Sequence, residues 1–260
     1  MQNDYFGSDI TRKIWGDIEN ILLIYVGTAA EFPLIHENHW LFKNLTFTQN
    51  PQQRFVNTFL YNQTLFFSPK QQVPQMLIAI RAIHQRLEAR QETSISNHAF
   101  IEVLSMLVEY GIQGYQYLHR TTLNSSEIEA YYQDIHVIAQ GMQIKDFPPT
   151  YATFCEYRAQ HIQTQLTKNL YTTKFYNIYQ QDLGKWRYWI LCQFQAYFVA
   201  PAISQRLELH RHPLFYLGYW AYPYLRCAWL LGLILRLLVK PDVVTALTAF
   251  KHMAQPKHRF

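Results

Sequence analysis

Apolar residues recur at steps of three and four positions along most of this chain, and the spacing is clearest in residues 75–91, QMLIAIRAIHQRLEARQ. Such steps place side chains on one face of an α-helix. The apolar positions of this segment are Met76, Ala79, Ile80, Ile83 and Leu87. His84 lies at the edge of the predicted face, and Pro74 falls in the first turn, where its missing N–H costs little. We therefore expect a helix that carries a histidine beside a buried surface.

Further segments show the same helical spacing, and they are residues 10–30, 50–67, 97–119, 127–144 and 151–166. Capping residues and prolines mark their ends, with Asn50 before Pro51, Asn124 or Ser125, and Thr150 after two prolines. Period-2 strands, internal repeats and Gly/Ser linkers do not stand out. The pattern predicts an all-α fold, with a single helical domain over residues 1–205 and a hydrophobic helical extension over residues 206–260.

The extension contains a long apolar segment, residues 213–239, in which Arg226 and Arg236 are the charged residues. The stretch between them has nine residues, which is too short to span a bilayer, and Pro223 interrupts the aromatic part before it. Three arrangements stay open: a buried helical hairpin, docking at a membrane interface and, least favoured, a transmembrane helix.

The composition favours a large apolar interior. Hydrophobic residues make up 49% of the chain and charged residues 16%, below the usual quarter for soluble domains. Aromatic residues also reach 16%. This content suits a chain that encloses a large flat apolar group, although an aromatic-rich core and surface explain it equally well.

The formal net charge is +5, and the basic residues are scattered along the chain. Nucleic-acid binding is not expected, because it requires a basic stripe or a recognised module. Cys155, Cys192 and Cys227 lie too far apart in sequence for a zinc knuckle or a redox pair, which fits a reducing compartment. The first residues lack the pattern of a signal peptide. We expect a cytoplasmic protein, with peripheral membrane contact through residues 213–239 as a further expectation.

His84 has charged neighbours within one helical turn. Arg81 precedes it by three residues and Glu88 follows it by four, so a cation and a carboxylate could anchor a charged ligand beside the imidazole. On the upstream helix, Arg54 and Thr58 are one turn apart and Asn57 lies beside them. The plainer interpretation is a core histidine satisfied by a hydrogen bond, with both arginines on the surface.

A metal site receives less support from the sequence. His98 and Glu102 are four residues apart, as are His84 and Glu88. A four-helix di-metal carboxylate site requires Glu-x-x-His pairs, and the sequence contains none. A di-metal hydroxylase is therefore kept as a third, weaker hypothesis.

Three segments in order resemble the MpaB and latex-clearing-protein (rubber oxygenase) family of heme b oxygenases. The first is NPQQRFVNTF at 50–59, similar to an Asp- or Asn-Pro followed by Arg, a polar residue and Thr. The second is IRAIHQRLEA at 80–89, similar to an Arg-x-x-His helix. The third is SSEIEAYYQDIHVIAQGMQIKDFPPTYATFCEY at 125–157. No single motif is specific, but the ordered set covers roughly residues 10–205.

The resemblance implies a globin-like helical core that holds heme b. His84 would be the axial iron ligand through Nε2, while its Nδ1 bonds to a helix carbonyl one turn earlier. Arg54, Asn57 and Thr58 would line the distal side or hold a propionate, and Arg81 would pair with the other propionate. The family uses O₂ to oxidise lipophilic substrates, notably by cleaving carbon–carbon double bonds of isoprenoid chains.

The chain departs from the family pattern at several positions. Asn57 stands where latex-clearing proteins have a lysine that can approach the iron. Glu37 lies close to the position of a candidate base, and Glu109 with Tyr110 replaces what is commonly a small polar residue. The leading hypothesis is a heme-dependent oxygenase that acts with O₂ on a hydrophobic unsaturated small molecule. The alternative is a non-enzymatic, membrane-associated helical protein that binds a lipid or heme.

Overall fold

The computed structural model describes residues 4–38 and 51–227, apart from the side chains of residues 51–56 and 91. The described residues form an all-α single domain with these helices: α1 (Asp9–Gly16), α2 (Ile18–Glu31), α3 (Pro51–Phe66), α4 (Val73–Gln91), α5 (Asn97–His119), α6 (Ser125–Gly141), α7 (Tyr151–Thr164), α8 (Leu170–Leu183), α9 (Lys185–Phe198), α10 (Pro201–Arg206) and α11 (Pro213–Leu225). Short 3-10 helices include Phe32–Leu34 and Lys70–Gln72. Within these ranges, β pairing is confined to one isolated bridge between Tyr5 and Pro69. The all-α prediction is confirmed, whereas the globin-like arrangement stays a prediction.

The single first helix predicted from the sequence is in fact two helices, α1 and α2, and the chain breaks at Asp17. The backbone of Asp17 is extended (φ −93°, ψ 109°), and its carboxylate accepts a hydrogen bond from the N–H of Glu19 at 3.0 Å. Asn20 donates a hydrogen bond to the carbonyl of Ile14 near the end of α1, at 3.1 Å. Polar side chains therefore set this break, and the hydrophobic spacing does not reveal it.

Several other predicted helix boundaries agree with the structure, whereas the predicted cap at Asn50 lies outside the described residues. Asn124 caps α6 in a capping box with Glu127, and Thr150 caps α7. Pro74 lies in the first turn of α4, as expected for a residue without an N–H. Local sequence signals are sufficient at these positions because a cap requires only neighbouring residues.

The centre of the fold is the pair formed by α2 and α5, which pack closely along their lengths. A Cβ atom at Gly27 would lie 2.4 Å from the ring of Tyr110, so only glycine permits this approach. α5 continues without a break through its two glycines, Gly111 and Gly114, which face neighbouring side chains. Helices α1, α6, α9 and α11 surround the pair, and α7 packs against α6.

The described part of the C-terminal segment contacts the rest of the fold. Arg226 Nη2 lies 2.9 Å from Asp17 Oδ2 and 2.7 Å from Glu19 Oε2. The hydroxyl of Tyr117 donates to the carbonyl of Tyr219 in α11. None of the helices in the described ranges is both long enough and apolar enough to cross a bilayer. Residues 228–239 of the predicted apolar segment, including Arg236, lie outside the described residues.

Candidate functional site

A polar stripe runs along one face of α5. Its members, spaced by four, three and four residues, are His98, Glu102, Ser105 and Glu109. The side chain of Glu102 is fully buried, and Glu109 is three-quarters buried. α7 brings Tyr157, Arg158 and His161 to this stripe, and α2 ends there with the buried Glu31. The three helices therefore enclose a cluster of ionisable side chains.

Arg158 is the centre of the charged half of this cluster. Its guanidinium donates to both oxygens of Glu31, with Nη1 2.5 Å from Oε1, and its Nε donates to Glu109. The hydroxyl of Tyr110 donates to Glu31 Oε2 at 2.7 Å. Burial by itself would lower the pKa of Arg158, but the charges of Glu31 and Glu109 raise it well above its ordinary value. The guanidinium is therefore permanently charged and fixed by two carboxylates.

His98, Glu102 and His161 converge in the other half. One ring nitrogen from each histidine and one carboxylate oxygen of Glu102 all lie within 4.8 Å of one another. His161 Nε2 is 2.6 Å from Glu102 Oε2, and His98 Nε2 is 3.5 Å from Glu102 Oε1. The ring centroids of the two histidines are 5.4 Å apart. Two imidazoles and one carboxylate thus face a common point.

Tyr157 and Glu37 border this group. The hydroxyl of Tyr157 donates to Glu102 Oε1 and lies 3.3 Å from His98 Nε2. Burial, followed by the charge of Glu102, raises the pKa of Tyr157, so its hydroxyl stays protonated. Glu37 Oε1 lies 3.3 Å from His98 Nδ1 on the other side of the ring. The structure therefore places the predicted base Glu37 beside His98.

The cluster has more acidic than basic groups. Glu31, Glu102 and Glu109 face a single guanidinium, that of Arg158. Burial, reinforced by the charges of Glu31 and Glu102 and opposed by that of Arg158, raises the pKa of Glu109. A protonated carboxyl, a protonated imidazole or a bound cation would each relieve this imbalance.

A cleft of about 340 Å³ reaches the cluster from outside. It is lined by residues of α5 and α7, namely Glu109, Ile112, Gln113, Gln116, Tyr151, Phe154, Cys155, Arg158, Ala159 and Ile162. Its walls combine aromatic and aliphatic surface with the ion pair of Glu109 and Arg158. A small molecule in this cleft would contact that ion pair.

His84 lies half-buried on α4, at a different place from the ionisable cluster. Its Nδ1 is 2.9 Å from the carbonyl oxygen of Ile80, one turn earlier. Its ring lies edge-on to Phe100 of α5, with centroids 5.2 Å apart, and the guanidinium of Arg81 lies 5.2 Å from the same ring. Glu88 accepts a hydrogen bond from the N–H of Ile95 at 2.8 Å. Glu88 therefore holds the following loop.

The residues around His84 fit the heme b that the resemblance implies. The carbonyl oxygen of Ile80 is the hydrogen-bond partner of His84 Nδ1, and His84 Nε2 makes no hydrogen bond to any residue in the described ranges. Arg81 has a buried Nε that lacks a hydrogen-bond partner there, so it can still pair with an anionic group. Ile83, on the apolar side of His84, remains 42% exposed. An imidazole nitrogen, a cation and uncovered apolar surface are thus side by side, as a heme would require.

The remaining predicted site residues are on α3. Asn57 and Thr58 have exposed side chains, and the carbonyl of Thr58 accepts a hydrogen bond from Asn62 at 2.9 Å. The side chain of Arg54 lies outside the described residues. α3 packs against α1 and α8, whereas α4 packs against α6. The placement of Arg54, Asn57 and Thr58 opposite His84 therefore stays a prediction.

Sequence reasoning did not single out His161, Arg158 or Glu31. A signal was present in α7, where the buried positions Phe154, Arg158, His161 and Ile162 follow helical spacing. An arginine and a histidine on an apolar face indicate buried partners elsewhere in the chain. The partners themselves come from α2 and α5, which are distant in sequence.

The described residues form an all-helical protein in which His98, Glu102 and His161 could hold a metal ion. A family model described as the catalytic domain of ER-bound oxygenase mpaB/B' and rubber oxygenase matches residues 21–214. Because the match covers most of the chain, this protein belongs to that oxygenase family, and it is classed as an oxidoreductase enzyme. The predicted family is confirmed. No curated protein matches the chain in a sequence comparison.

Proposed function

We propose that this protein is a heme b-dependent oxygenase that uses O₂ on a hydrophobic, unsaturated substrate, such as an isoprenoid or lipid-like chain, by cleaving a carbon–carbon double bond. The observation that carries the proposal is the hydrogen bond between His84 Nδ1 and the carbonyl of Ile80. Family membership supplies the reaction class. Bound heme would supply the iron at which O₂ is activated.

His84 has the environment of an axial ligand. A carbonyl oxygen only accepts hydrogen bonds, so Nδ1 carries the proton and Nε2 has a lone pair available for iron. The backbone of α4 fixes the ring orientation, because donor and acceptor belong to the same helix. The edge-on contact with Phe100 restricts the ring further.

The side chains around His84 would serve the rest of the heme. Arg81 has a buried, unpartnered Nε and could neutralise a propionate. Ile83 is exposed on the side of α4 that also carries the partly buried Met76 and Ile80, and this apolar side would keep water away from the porphyrin. We assign the distal side to Arg54, Asn57 and Thr58, following the resemblance.

Asn57 gives the distal side a neutral amide in place of the amine found in latex-clearing proteins. An amide is a poor iron ligand, so Asn57 would not compete with O₂ for the iron of bound heme. The assignment of a base role to Glu37 is also kept as a prediction, and its carboxylate lies 3.3 Å from His98 Nδ1.

The axial assignment can be tested by absorption spectroscopy of protein that is purified with heme supplied. We expect His84→Ala to lose the Soret band, and His84→Gly to regain it when imidazole is added. His119→Gln, at an exposed histidine at the end of α5, is the control and should keep a normal spectrum. A normal heme spectrum in His84→Ala would refute the axial role.

The second candidate function is a membrane-associated protein that binds lipid or heme without turnover. Exposed apolar side chains on α11 favour contact with a lipid surface, and they include Leu214, Leu217, Trp220, Tyr224 and Leu225. O₂ consumption in the presence of isoprenoid compounds separates the two functions. Heme uptake without substrate-dependent O₂ consumption would favour the second.

A further inference from the structure

We propose that His98, Glu102 and His161 form a binding site for one divalent transition-metal ion, distinct from the heme position at His84. The site would lie between the first turns of α5 and the last turns of α7. It goes beyond the proposed function and does not depend on it, because His84 is not one of the ligands.

The first argument is the state of the buried atoms. His161 is 3% exposed, and neither of its ring nitrogens has a hydrogen-bond partner. Glu102 is fully buried, and its Oε2 also lacks a hydrogen bond although His161 Nε2 is only 2.6 Å away. The two atoms are close, but they are not aligned as donor and acceptor. Lone pairs that converge in this way suit a shared ligand such as a metal ion.

The second argument is the surroundings of the ligands. Metal-binding histidines usually donate their other nitrogen to a carboxylate, and ligating carboxylates are themselves hydrogen-bonded. Glu37 Oε1 lies 3.3 Å from Nδ1 of His98, close enough to orient the ring although the two atoms are not aligned for a hydrogen bond, and Nε2 faces the Tyr157 hydroxyl and Glu102 Oε1. Tyr157 donates to Glu102 Oε1, which leaves Oε2 for the ion. The group thus has both ligands and the residues that orient them.

The third argument is charge. Three carboxylates share this region with one guanidinium, and Arg158 is already bound to Glu31 and Glu109. Arg158 Nη1 is 3.7 Å from Glu102 Oε2, which is too far for a hydrogen bond. A divalent ion at Glu102 would compensate the excess negative charge.

The ligand set indicates which ions would bind. Two imidazoles and one carboxylate suit zinc or ferrous iron, whereas calcium and magnesium prefer oxygen ligands only. The competing explanation for the short contact is an ion pair between a protonated His161 and Glu102. That pair would require no metal, so metal analysis distinguishes the two.

The test measures metal bound to the full chain after any histidine tag has been removed. Wild-type protein, incubated with Zn²⁺ and then dialysed, should retain one zinc per chain by elemental mass spectrometry. Heme is quantified separately, so heme iron is not counted. His161→Asn and Glu102→Gln should lose the zinc, and His119→Gln should retain it.

Two further variants distinguish ligands from orienting residues and the metal site from the heme site. Glu37→Gln should weaken zinc affinity by about 10–100-fold without abolishing it, since it removes an orienting carboxylate rather than a ligand. His84→Ala should keep the zinc while losing heme, so the failure of one proposal leaves the other standing. Circular dichroism of each variant is the control for folding.

The proposal would be overturned if wild-type protein retained no Zn²⁺, Fe²⁺ or Co²⁺. It would equally be overturned if folded His161→Asn and Glu102→Gln bound as much zinc as the wild type. A rise of the Tm with added Zn²⁺ in the wild type, absent from Glu102→Gln, would support it independently.

Discussion

Arg158 is the one lysine or arginine among the buried side chains in the described ranges. It makes hydrogen bonds to Glu31 and Glu109, and these carboxylates come from α2 and α5. Replacing a buried ion pair by apolar groups is often neutral, but removing one partner leaves the other charge without compensation. Loss of the Arg158 guanidinium would therefore lower the free energy of unfolding, because Glu31 and Glu109 would lose their compensating charge.

At this scale we predict that Arg158→Gln lowers the free energy of unfolding by about 3–5 kcal/mol, because it leaves buried carboxylates unpaired. Urea denaturation followed by circular dichroism measures the change. Arg90→Gln, at an exposed position on α4, should alter it by less than about 0.5 kcal/mol.

A double variant shows whether the loss arises from Glu31. Because each substitution removes one side of the same contact, Glu31→Gln combined with Arg158→Gln should cost less than the sum of the single variants. Additive effects would mean that the bidentate contact contributes little to folding.

At the scale of elements, the pair formed by α2 and α5 determines where the ionisable cluster lies. Gly27 allows the ring of Tyr110 to lie directly on α2, and Glu31 follows one turn later to accept the Tyr110 hydroxyl. The close approach of the helices and the hydrogen bond are therefore parts of one arrangement. A side chain at position 27 would push α2 away from α5, and it would thereby also move Glu31 away from its partners in the cluster.

We predict that Gly27→Ala lowers the free energy of unfolding by about 1–3 kcal/mol, since its Cβ would overlap the Tyr110 ring. Gly218→Ala is the matched control on α11, where a Cβ meets no described atom within 4 Å. That control should be neutral or stabilising by up to about 1 kcal/mol, through helix propensity. Thermal and urea unfolding measure both, and equal stability of the two variants would contradict the packing argument.

At the scale of the whole molecule, α5 connects the two candidate sites. Phe100 contacts His84 and Arg81 on one side, and Glu102, two residues later, faces His161 on the other. α11 carries exposed apolar side chains, and Leu217 there is 66% exposed. A lipophilic substrate would reach such an enzyme most readily from a lipid surface.

We therefore predict that the protein floats with vesicles that contain anionic lipid and that Leu217→Asp reduces the bound fraction. Leu170→Asp is the matched control, because Leu170 is 67% exposed but lies on α8. The control should bind like the wild type, whereas equal loss in both variants would argue against α11 as the contact.

The sequence by itself determined the helical class, most helix boundaries and the family. Helical spacing and caps depend on residues three or four positions apart, so Asn124, Thr150 and Pro74 could be assigned without a structure. The bond from His84 to a carbonyl one turn earlier was expected from the family resemblance, and the structure shows it between Nδ1 and the carbonyl of Ile80.

Only the tertiary structure decided which distant side chains meet. His98 and Glu102 were visible as a pair at helical spacing, but His161 reaches them from a helix that begins some fifty residues later in the chain. The partner of Glu37 likewise depends on a contact across the fold, with His98 of α5. Hydrophobic spacing tells which face of a helix is buried, but the polar partner on that face is set by how the helices pack.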